Sequence, residues 1–339
     1  MLWYNYKERV QTAFYYITDL RTYPNLKKRT EIMIHILLAT YNGARYLRAQ
    51  LDSIFTQSCD EFKLYVSDDN STDETYNILK EYESRYPEKM FISRSENRLG
   101  AAANFLALLE NSDAEYIMFA DQDDVWDKRK IEYSLKCMKS MEAKYGKNTP
   151  LLIHSDLSVV DEELRTLNKS LASFLKINAK RKRLSYLLVE NVVTGSTVMI
   201  NKALKTKVNL SDKCFMHDWW LALTATCFGK IGYINMPLNL YRQHRDNVLG
   251  VKDIYSLSAL FTERIKRSEE VKSNYKKMYA QAGDFLRIYK AALSRENREI
   301  LGSFVNMQAM NRLQKIYTVY RYKFFKSNIL MNLGLLFNI

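Results

Sequence analysis

The sequence predicts an α/β protein built on a mostly parallel, doubly wound sheet flanked by helices, with a helical C-terminal extension. Three observations lead there. Short apolar runs of strand length alternate with helical patterns, about one pair every 30 residues, through residue 140. The runs are continuous rather than alternating, which suits strands buried on both faces. Each of the strongest runs ends in a polar turn, and in such sheets ligands bind beyond the carboxyl ends of the strands.

The first run, IMIHILLA at 32–39, ends in Thr40, Tyr41, Asn42 and Gly43, and a helical pattern follows over 44–56. His35 lies inside this strand and reads as a core histidine. FKLYVS at 62–67 is the second strand; it runs into Asp68, Asp69, Asn70, Ser71, Thr72 and Asp73, and then a helix over 74–86. Ser71 or Thr72 is placed to cap that helix. A third strand is expected at 90–93, a helix over 101–111, and a fourth strand over 116–120. That strand runs into Asp121, Gln122, Asp123 and Asp124. Segments 151–154, 157–160, 198–201, 231–234 and 238–241 read as further short strands, and 184–190 and 219–228 as helices. From residue 253 the pattern is helical, with Leu257, Leu260, Phe261 and Ile265 at helical spacing.

The acidic strand ends carry the chemistry. Crowded carboxylates raise one another's pKa unless a cation intervenes. A divalent ion such as Mg²⁺ takes one or two carboxylates and completes its shell with phosphate oxygens. A metal–diphosphate site is one reading of residues 121–124; an acidic turn capping a helix that begins near Val125 is the other. Three strand ends, at 40–42, 68–69 and 121–124, face one crevice, and this convergence favours a site. Asp218 stands at or near a helix start, as an N-cap or as a functional carboxylate. Neither GxGxxG nor GxxxxGK[ST] follows the first strand, which argues against dinucleotide-dependent oxidoreductases and P-loop enzymes.

Composition bounds the rest. A chain of 339 residues with 47% hydrophobic content can bury a large core. Cys59, Cys137, Cys214 and Cys227 lack metal-binding or disulfide-framework spacing, which suggests thiols in a reducing compartment. The N-terminal stretch lacks the uninterrupted apolar core of a signal peptide, and no run of 18 apolar residues occurs, so no transmembrane helix is expected. The formal charge is +13, and residues 251–339 supply most of it, with 16 Lys/Arg against 7 Asp/Glu.

With these residues in place, the chain resembles the family 2 glycosyltransferases, which have the GT-A (nucleotide-diphospho-sugar transferase) fold. The matching pieces are ATYNG (39–43), VSDDNSTDET (66–75), ENRLGAAANF (96–105), FADQDDVWDK (119–128), NVVTGSTVMIN (191–201), MHDWW (216–220) and YRQHRDN (241–247). They follow the family's order across residues 31–250. The DQDDVW and HDWW forms look most like bacterial rhamnosyltransferase-type members that build surface polysaccharide. Asn70 departs from the commoner glycine, a mild change because Asn tolerates left-handed geometry.

The resemblance implies an inverting, metal-dependent transfer of a sugar, with L-rhamnose the first candidate, from a nucleotide-diphosphate sugar to a hydroxyl of a lipid-linked saccharide. Thr40, Tyr41, Asn42, Asp68, Asp69, Arg98, Gly100, Asn104, Asp121 and Gln122 would bind the nucleotide sugar, with one of Asp68 and Asp69 on the base. Asp123 would bind Mg²⁺ or Mn²⁺, with His244 either a second ligand, a phosphate contact or a surface histidine. Gly195 and Ser196 would lie beside the sugar and acceptor, and Asp218 matches the general base. Trp219 and Trp220 would either offer a sugar platform beside Asp218 or anchor their helix in the core. The implied donors are dTDP-rhamnose, then UDP-hexoses.

Three units are expected: an N-terminal extension over 1–30, a catalytic domain over 31–250 and a basic helical region over 251–339. An amphipathic helix at 4–20 and the apolar end 316–339 would pack on the domain or lie at a membrane interface. The localisation expected is cytoplasmic, peripheral to the inner face of the plasma membrane, with a homodimer as a further expectation. The competing reading is a nucleic-acid-binding module using the basic, aromatic C-terminal region; the acid-lined crevice speaks against it, and nucleic acid is not among the expected partners. A nucleotidyltransferase would need a basic, Gly-rich loop after the first strand, which residues 40–43 are not.

Overall fold

The computed structural model describes residues 33–209, 211, 213–244 and 263–338. The helix expected at 4–20, and Leu257, Leu260 and Phe261, lie outside them. A sheet of nine strands forms the centre, in the order β3-β2-β1-β4-β8-β6-β9-β5, with β7 paired to β6. The strands are β1 (Ile34–Thr40), β2 (Phe62–Asp68), β3 (Met90–Arg94), β4 (Tyr116–Ala120), β5 (Val125–Trp126), β6 (Leu151–Val160), β7 (Thr166–Asn168), β8 (Met199–Asn201) and β9 (Lys230–Arg242).

The first half is the parallel unit that the alternation implied. β1 pairs in parallel with both β2 and β4, and β2 with β3. The crossovers are helices α1 (Ala44–Phe55), α2 (Thr75–Arg85) and α3 (Ala101–Asn111). Thr40 pairs with Asp68, so β1 and β2 end at the same level. β8 then enters antiparallel between β4 and β6, while β6 and β9 run parallel.

Both faces of the sheet are covered, which is why the strands read as unbroken apolar runs. Along β1, Ile34, Ile36 and Leu38 face one core and Leu37 the other. The first core holds Leu47 and Leu51 of α1, Leu79 of α2, and Ile131 and Met138 of α4 (Lys130–Tyr145). The second holds Phe105 of α3 and the apolar residues of α8 (His217–Phe228). Between α4 and α8 lie α5 (Leu171–Leu175), α6 (Leu184–Leu187) and α7 (Lys202–Lys207).

Several expectations change. Segments 151–154 and 157–160 are one strand, buried throughout. Likewise 231–234 and 238–241 belong to one 13-residue strand, β9. Its register shifts where Asp156 opposes Pro237; proline brings no N–H to the ladder, and an irregularity absorbs the defect. No helix begins at Val125. Residues 125–126 instead pair antiparallel with Leu240 and Asn239, and α4 starts at Lys130.

The C-terminal helices are α9 (Glu263–Tyr289), α10 (Arg295–Asn306), α11 (Arg312–Tyr322) and α12 (Ile329–Asn338). Their inner faces enter the second core: Tyr275, Phe285, Phe304, Phe324 and Leu335 all belong to it. Trp220, fully buried, packs edge-on against Phe285 with ring centroids 5.2 Å apart. Among the described residues, no helix is long and apolar enough to cross a membrane.

Because Phe285 joins α9 to α8, Phe285→Ala will destabilise the whole fold by about 3–5 kcal/mol. Urea unfolding followed by both far-UV circular dichroism and tryptophan fluorescence will show one coincident transition at a lower midpoint. Two separated transitions would mean the C-terminal helices unfold independently.

Candidate active site

The loops after β1, β2 and β4 meet, and side chains lock them together. Gln122 pairs with both backbone groups of Tyr41, accepting from its N–H at 2.8 Å and donating to its carbonyl at 3.0 Å. The fit requires glycine at 43, since a Cβ there would sit 2.2 Å from Gln122 Oε1. The Asn42 N–H donates to Ser71 Oγ, and the Gly43 N–H to Thr75 Oγ1 at 2.8 Å. Ser71 and Thr72 therefore do not cap α2. Its N-cap is Glu74, which makes no capping bond, and Ser71 and Thr72 bind Asn42 instead. Asn42 and Asn70 both adopt the left-handed conformation, with φ of 46° and 61°. The asparagine that replaces the commoner glycine thus fits its turn.

Asp68 and Asp69 are buried and already engaged. Asp68 accepts from Thr40 Oγ1 at 3.1 Å, from Ser71 Oγ at 2.5 Å and from the Ser71 N–H, and Arg94 lies 3.3 Å away. Asp69 accepts the N–H groups of Leu99 (2.6 Å) and Gly100 (2.8 Å). It thereby clamps the turn before α3. Asn104, also buried, donates to the Gly100 carbonyl and accepts from Ser67 Oγ. Beside this clamp, the exposed Arg98 guanidinium stacks on the Tyr41 ring at 3.9 Å.

The acidic turn after β4 is electrostatically loaded. Asp121 is held well above the usual carboxylate range by burial and then by repulsion from Asp124, Asp123 and Asp218. Burial, then Asp123, pushes Asp124 up to about 7; the Asn239 amide, 3.2 Å from Asp124 Oδ2, opposes the rise. Asp124 Oδ1 is buried without a hydrogen-bond partner. Asp123 Oδ2 lies 2.9 Å from His244 Nε2. His244 in turn packs against the Tyr46 ring, and Arg242 donates to the Asp123 carbonyl.

Lys130 is a site residue that sequence reasoning missed. Its side chain is fully buried, and burial lowers its pKa well below that of a free lysine, against the pull of Asp124 and Asp121. Its Nζ donates to the Ser196 carbonyl at 2.5 Å and lies 3.5 Å from the centre of the Trp126 ring. Asn239, also missed, donates to the same carbonyl as well as to Asp124. Together they tie the acidic turn to the one-turn 3₁₀ helix Gly195–Thr197.

Asp218 lies in the first turn of α8, whose N-cap is Met216, so it is not the cap. Its Oδ1 accepts from Asn191 Nδ2 at 3.1 Å and from the Trp219 N–H. Burial raises its pKa to about 7, against the hydrogen bonds from Trp219, Gly195 and Asn191. A Cβ at Gly195 would lie 3.6 Å from Asp218 Oδ2 and 2.7 Å from His217 Nε2. His217, likewise missed, sits against Phe105 at 4.2 Å between ring centroids. Asp218 thus adjoins the Gly195–Ser196 turn and acts electrostatically on Asp121.

For Trp219 and Trp220 the structure favours the core-anchor alternative over the sugar platform. Trp220 is fully buried, and its Nε1 donates to the Asn209 carbonyl. Trp219 is buried too and donates to the Leu187 carbonyl at 2.5 Å. Both indoles spend their N–H groups inside the protein, so they anchor α8 in the core. His35 is a core histidine with Nδ1 2.9 Å from Ser112 Oγ.

With this geometry in view, the relatives decide the family. A family model described as Glycosyl transferase family 2 matches residues 35–146. The dTDP-rhamnosyl transferase RfbG of Shigella flexneri is 31% identical over 219 residues, covering 63% of this chain and 73% of that protein. The chain belongs to the family 2 glycosyltransferases. The putative teichuronic acid biosynthesis glycosyltransferase TuaG of Bacillus subtilis is 28% identical over 130 residues, covering 38% of this chain and 51% of its own length. Among solved structures, S. aureus TarS 1-349 in complex with UDP aligns with a TM-score of 0.53 at 18% identity, covering 83% of this chain and 73% of that one. The mannosyltransferase PcManGT from Pyrobaculum calidifontis, in complex with GDP-Man and Mn2+, aligns at 0.50 and 14% identity, covering 92% and 81%. These likenesses show the GT-A fold.

In this glycosyltransferase the buried Lys130 amine faces the acidic turn, where Asp124 and Asp121 favour its protonation against the burial that opposes it. Lys130→Met will cost about 3–5 kcal/mol at pH 8, because the ionised, buried Asp124 carboxylate then loses its basic neighbour. The loss will shrink toward pH 5, where Asp124 takes up its proton. Chemical denaturation of both proteins at the two pH values checks this; an equal loss at both would show that Lys130 acts through packing alone.

Proposed function

We propose that this glycosyltransferase moves a sugar, dTDP-rhamnose being the first donor to test and UDP-hexoses next, to a hydroxyl of a lipid-linked saccharide in surface-polysaccharide synthesis. RfbG, a dTDP-rhamnosyl transferase, supports rhamnosyl transfer, and TuaG supports a polysaccharide product. The reading includes inversion at C1 and a catalytic unit over 31–250 flanked by 1–30 and 251–339. It also includes a cytoplasmic enzyme peripheral to the plasma membrane. The observation that carries it is the Asp218 carboxylate beside Gly195, on the turn that Lys130 and Asn239 join to the acidic residues after β4.

Residues of the chain divide the work. The Tyr41–Arg98 stack and the loops clamped by Asp68 and Asp69 would seat the nucleoside. The Asn42 turn, Gly100, Asn104 and Gln122 fix the shape of those loops, and Asp121 would face the ribose or sugar. Gly195 and Ser196 would flank the sugar and the acceptor. The acceptor hydroxyl gives its proton to Asp218 as its oxygen bonds to C1, and the C1–O bond to the diphosphate breaks on the opposite side. One base and no enzyme nucleophile means a single displacement, hence inversion. A carboxylate whose pKa lies near 7 suits a base working at neutral pH.

The donor set fits Mg²⁺ or Mn²⁺. Three carboxyls crowd together, one with a buried oxygen lacking a partner, and Asp123 lies beside His244. Among the described residues, no group of three His, Cys, Asp or Glu side chains is placed to enclose an ion. An ion held by Asp123 and His244 would be completed by phosphate oxygens. Such an ion would stabilise the charge developing on the leaving diphosphate.

Asp218→Asn will leave the thermal shift given by dTDP-rhamnose with Mn²⁺ unchanged and lower transfer by roughly 100- to 10,000-fold, the usual contribution of a general base. Wild-type transfer will rise with pH and level off above about 7, as Asp218 loses its proton. Stability will move the other way. A raised pKa favours folding fully below the ordinary value of 3.8, and that contribution is lost as pH rises through about 7. Asp218→Asn will therefore melt above wild type at pH 8 and close to it at pH 5. Undiminished turnover of the variant would remove Asp218 from the base role.

A further inference from the structure

The exposed apolar surface of the described residues is concentrated at one end of the chain. Leu313 (79% exposed), Tyr317 and Tyr320 share one face of α11, at the spacing of a helical stripe. Ile329 (79%), Leu330, Leu333 and Phe337 (76%) line the outer face of α12. Between and beside them stand the cations Arg312, Lys315, Arg321 and Lys323. No Asp or Glu occurs anywhere from 300 to 339.

A second basic segment docks onto this one. The Asn178 N–H donates to Ser327 Oγ at 2.8 Å, and the Arg181 guanidinium donates to the Phe325 carbonyl. That joins the loop 176–183, in which Lys176, Lys180, Lys182 and Arg183 are exposed, to the start of α12. Residues 164–189 are also free of Asp and Glu. The nearest acids are engaged: Glu190 is buried and accepts from the Ser327 N–H, and Glu299 accepts from the Tyr322 hydroxyl.

We propose that α11, α12 and the loop 176–183 form a single docking face for an anionic phospholipid surface. Apolar side chains would enter the interface while the surrounding cations meet headgroup charge. Charge selects this occupant. A second copy would bring the same positive face into contact with itself. The chain's own residues 1–30 carry 6 Lys/Arg against 2 Asp/Glu and would be repelled likewise. Along the chain the loop leads through α6 to Asn191, which donates to Asp218. It deepens the membrane-peripheral part of the proposed function and rests on it only for its purpose.

The test is flotation of the full chain with vesicles of phosphatidylcholine alone and of phosphatidylcholine with phosphatidylglycerol. Wild type will float with the anionic vesicles only, and added salt will weaken binding. A variant carrying Lys176→Gln, Lys180→Gln and Arg183→Gln will bind roughly 100-fold more weakly, at about fivefold per charge. Ile329→Ser with Leu330→Ser and Phe337→Ser will also lose binding while keeping the wild-type melting temperature. Equal flotation with both vesicle types, or variants that bind as wild type does, would overturn the proposal. So would a wild-type dimer that ignores vesicles and dissociates in the apolar variant. Release of dTDP from dTDP-rhamnose in solution, measured on the same preparations, separates the two ideas. Flotation without turnover sinks the donor reading and leaves the face; turnover without flotation does the reverse.

Discussion

Mutual repulsion of carboxylates at the end of β4 is the constraint around which the site is built. Asp121, Asp123 and Asp124 follow one another within four residues, close to Asp218. An apolar sheet cannot leave such charges unanswered, because isolated buried ions cost several kcal/mol each. The chain answers with Lys130, with the Asn239 amide on Asp124 and with His244 beside Asp123. These partners come from α4, from the middle of β9 and from the residues just beyond it. The long β9 is therefore needed at the site as well as in the sheet, since it carries Asn239 and Arg242 past the acidic turn. What remains uncompensated is the raised proton affinity of Asp121 and Asp124, the property that invites a cation.

The two acidic strand ends do different work. After β2, Asp68 and Asp69 are satisfied by hydroxyls, backbone N–H groups and Arg94, and they hold loops in place. After β4, Asp123 has His244 and Asp124 has the Asn239 amide, but Asp124 Oδ1 is buried without a partner. A carboxylate accepting several hydrogen bonds is a structural anchor; one surrounded by others is a binding group. The same residue type at equivalent places in the sheet thus divides between shaping the pocket and holding charge.

Much of this was legible in the sequence because the first four strands are apolar on both faces. Their ends, and hence the meeting of Thr40, Asp68 and Asp121, followed from parallel geometry alone. β6 and β9 were read as broken because Ser155, Asp156 and Pro237 interrupt the apolar pattern. The polar side chains are buried with local partners, such as Ser170 on Asp156, so the ladder continues past them. Lys130 was hidden inside the charged run DKRK, which reads as a solvated helix start. The available signal was Trp126 four residues earlier, whose ring lies under the ammonium. Asn239 carries no signal in one sequence, and Asn191 and His217 lie inside matched pieces that do not show their partners, which are distant along the chain. The tryptophans after Asp218 illustrate the opposite error. Aromatic residues beside a candidate base suggest a sugar platform, yet in a helix buried on nearly all sides an indole is first a core residue.

The C-terminal helices show how one segment can serve two surroundings. Their inner faces, with Phe285, Phe304 and Phe324, complete the core that also holds α8, so the helix bearing Asp218 is backed by them. Trp220 is the contact point, set between α8 and Phe285. A core of that kind holds its side chains in fixed positions. Movement of α9 would therefore be transmitted to the first turn of α8, where Asp218 sits against Asn191. The outer faces are free of that duty and carry apolar and basic residues together. Contact made at the outer surface of α11 and α12 falls on elements whose inner residues, Val319, Phe324 and Leu335, share a core with α8. Orientation of this end of the molecule would thus fix the direction from which an acceptor reaches the crevice.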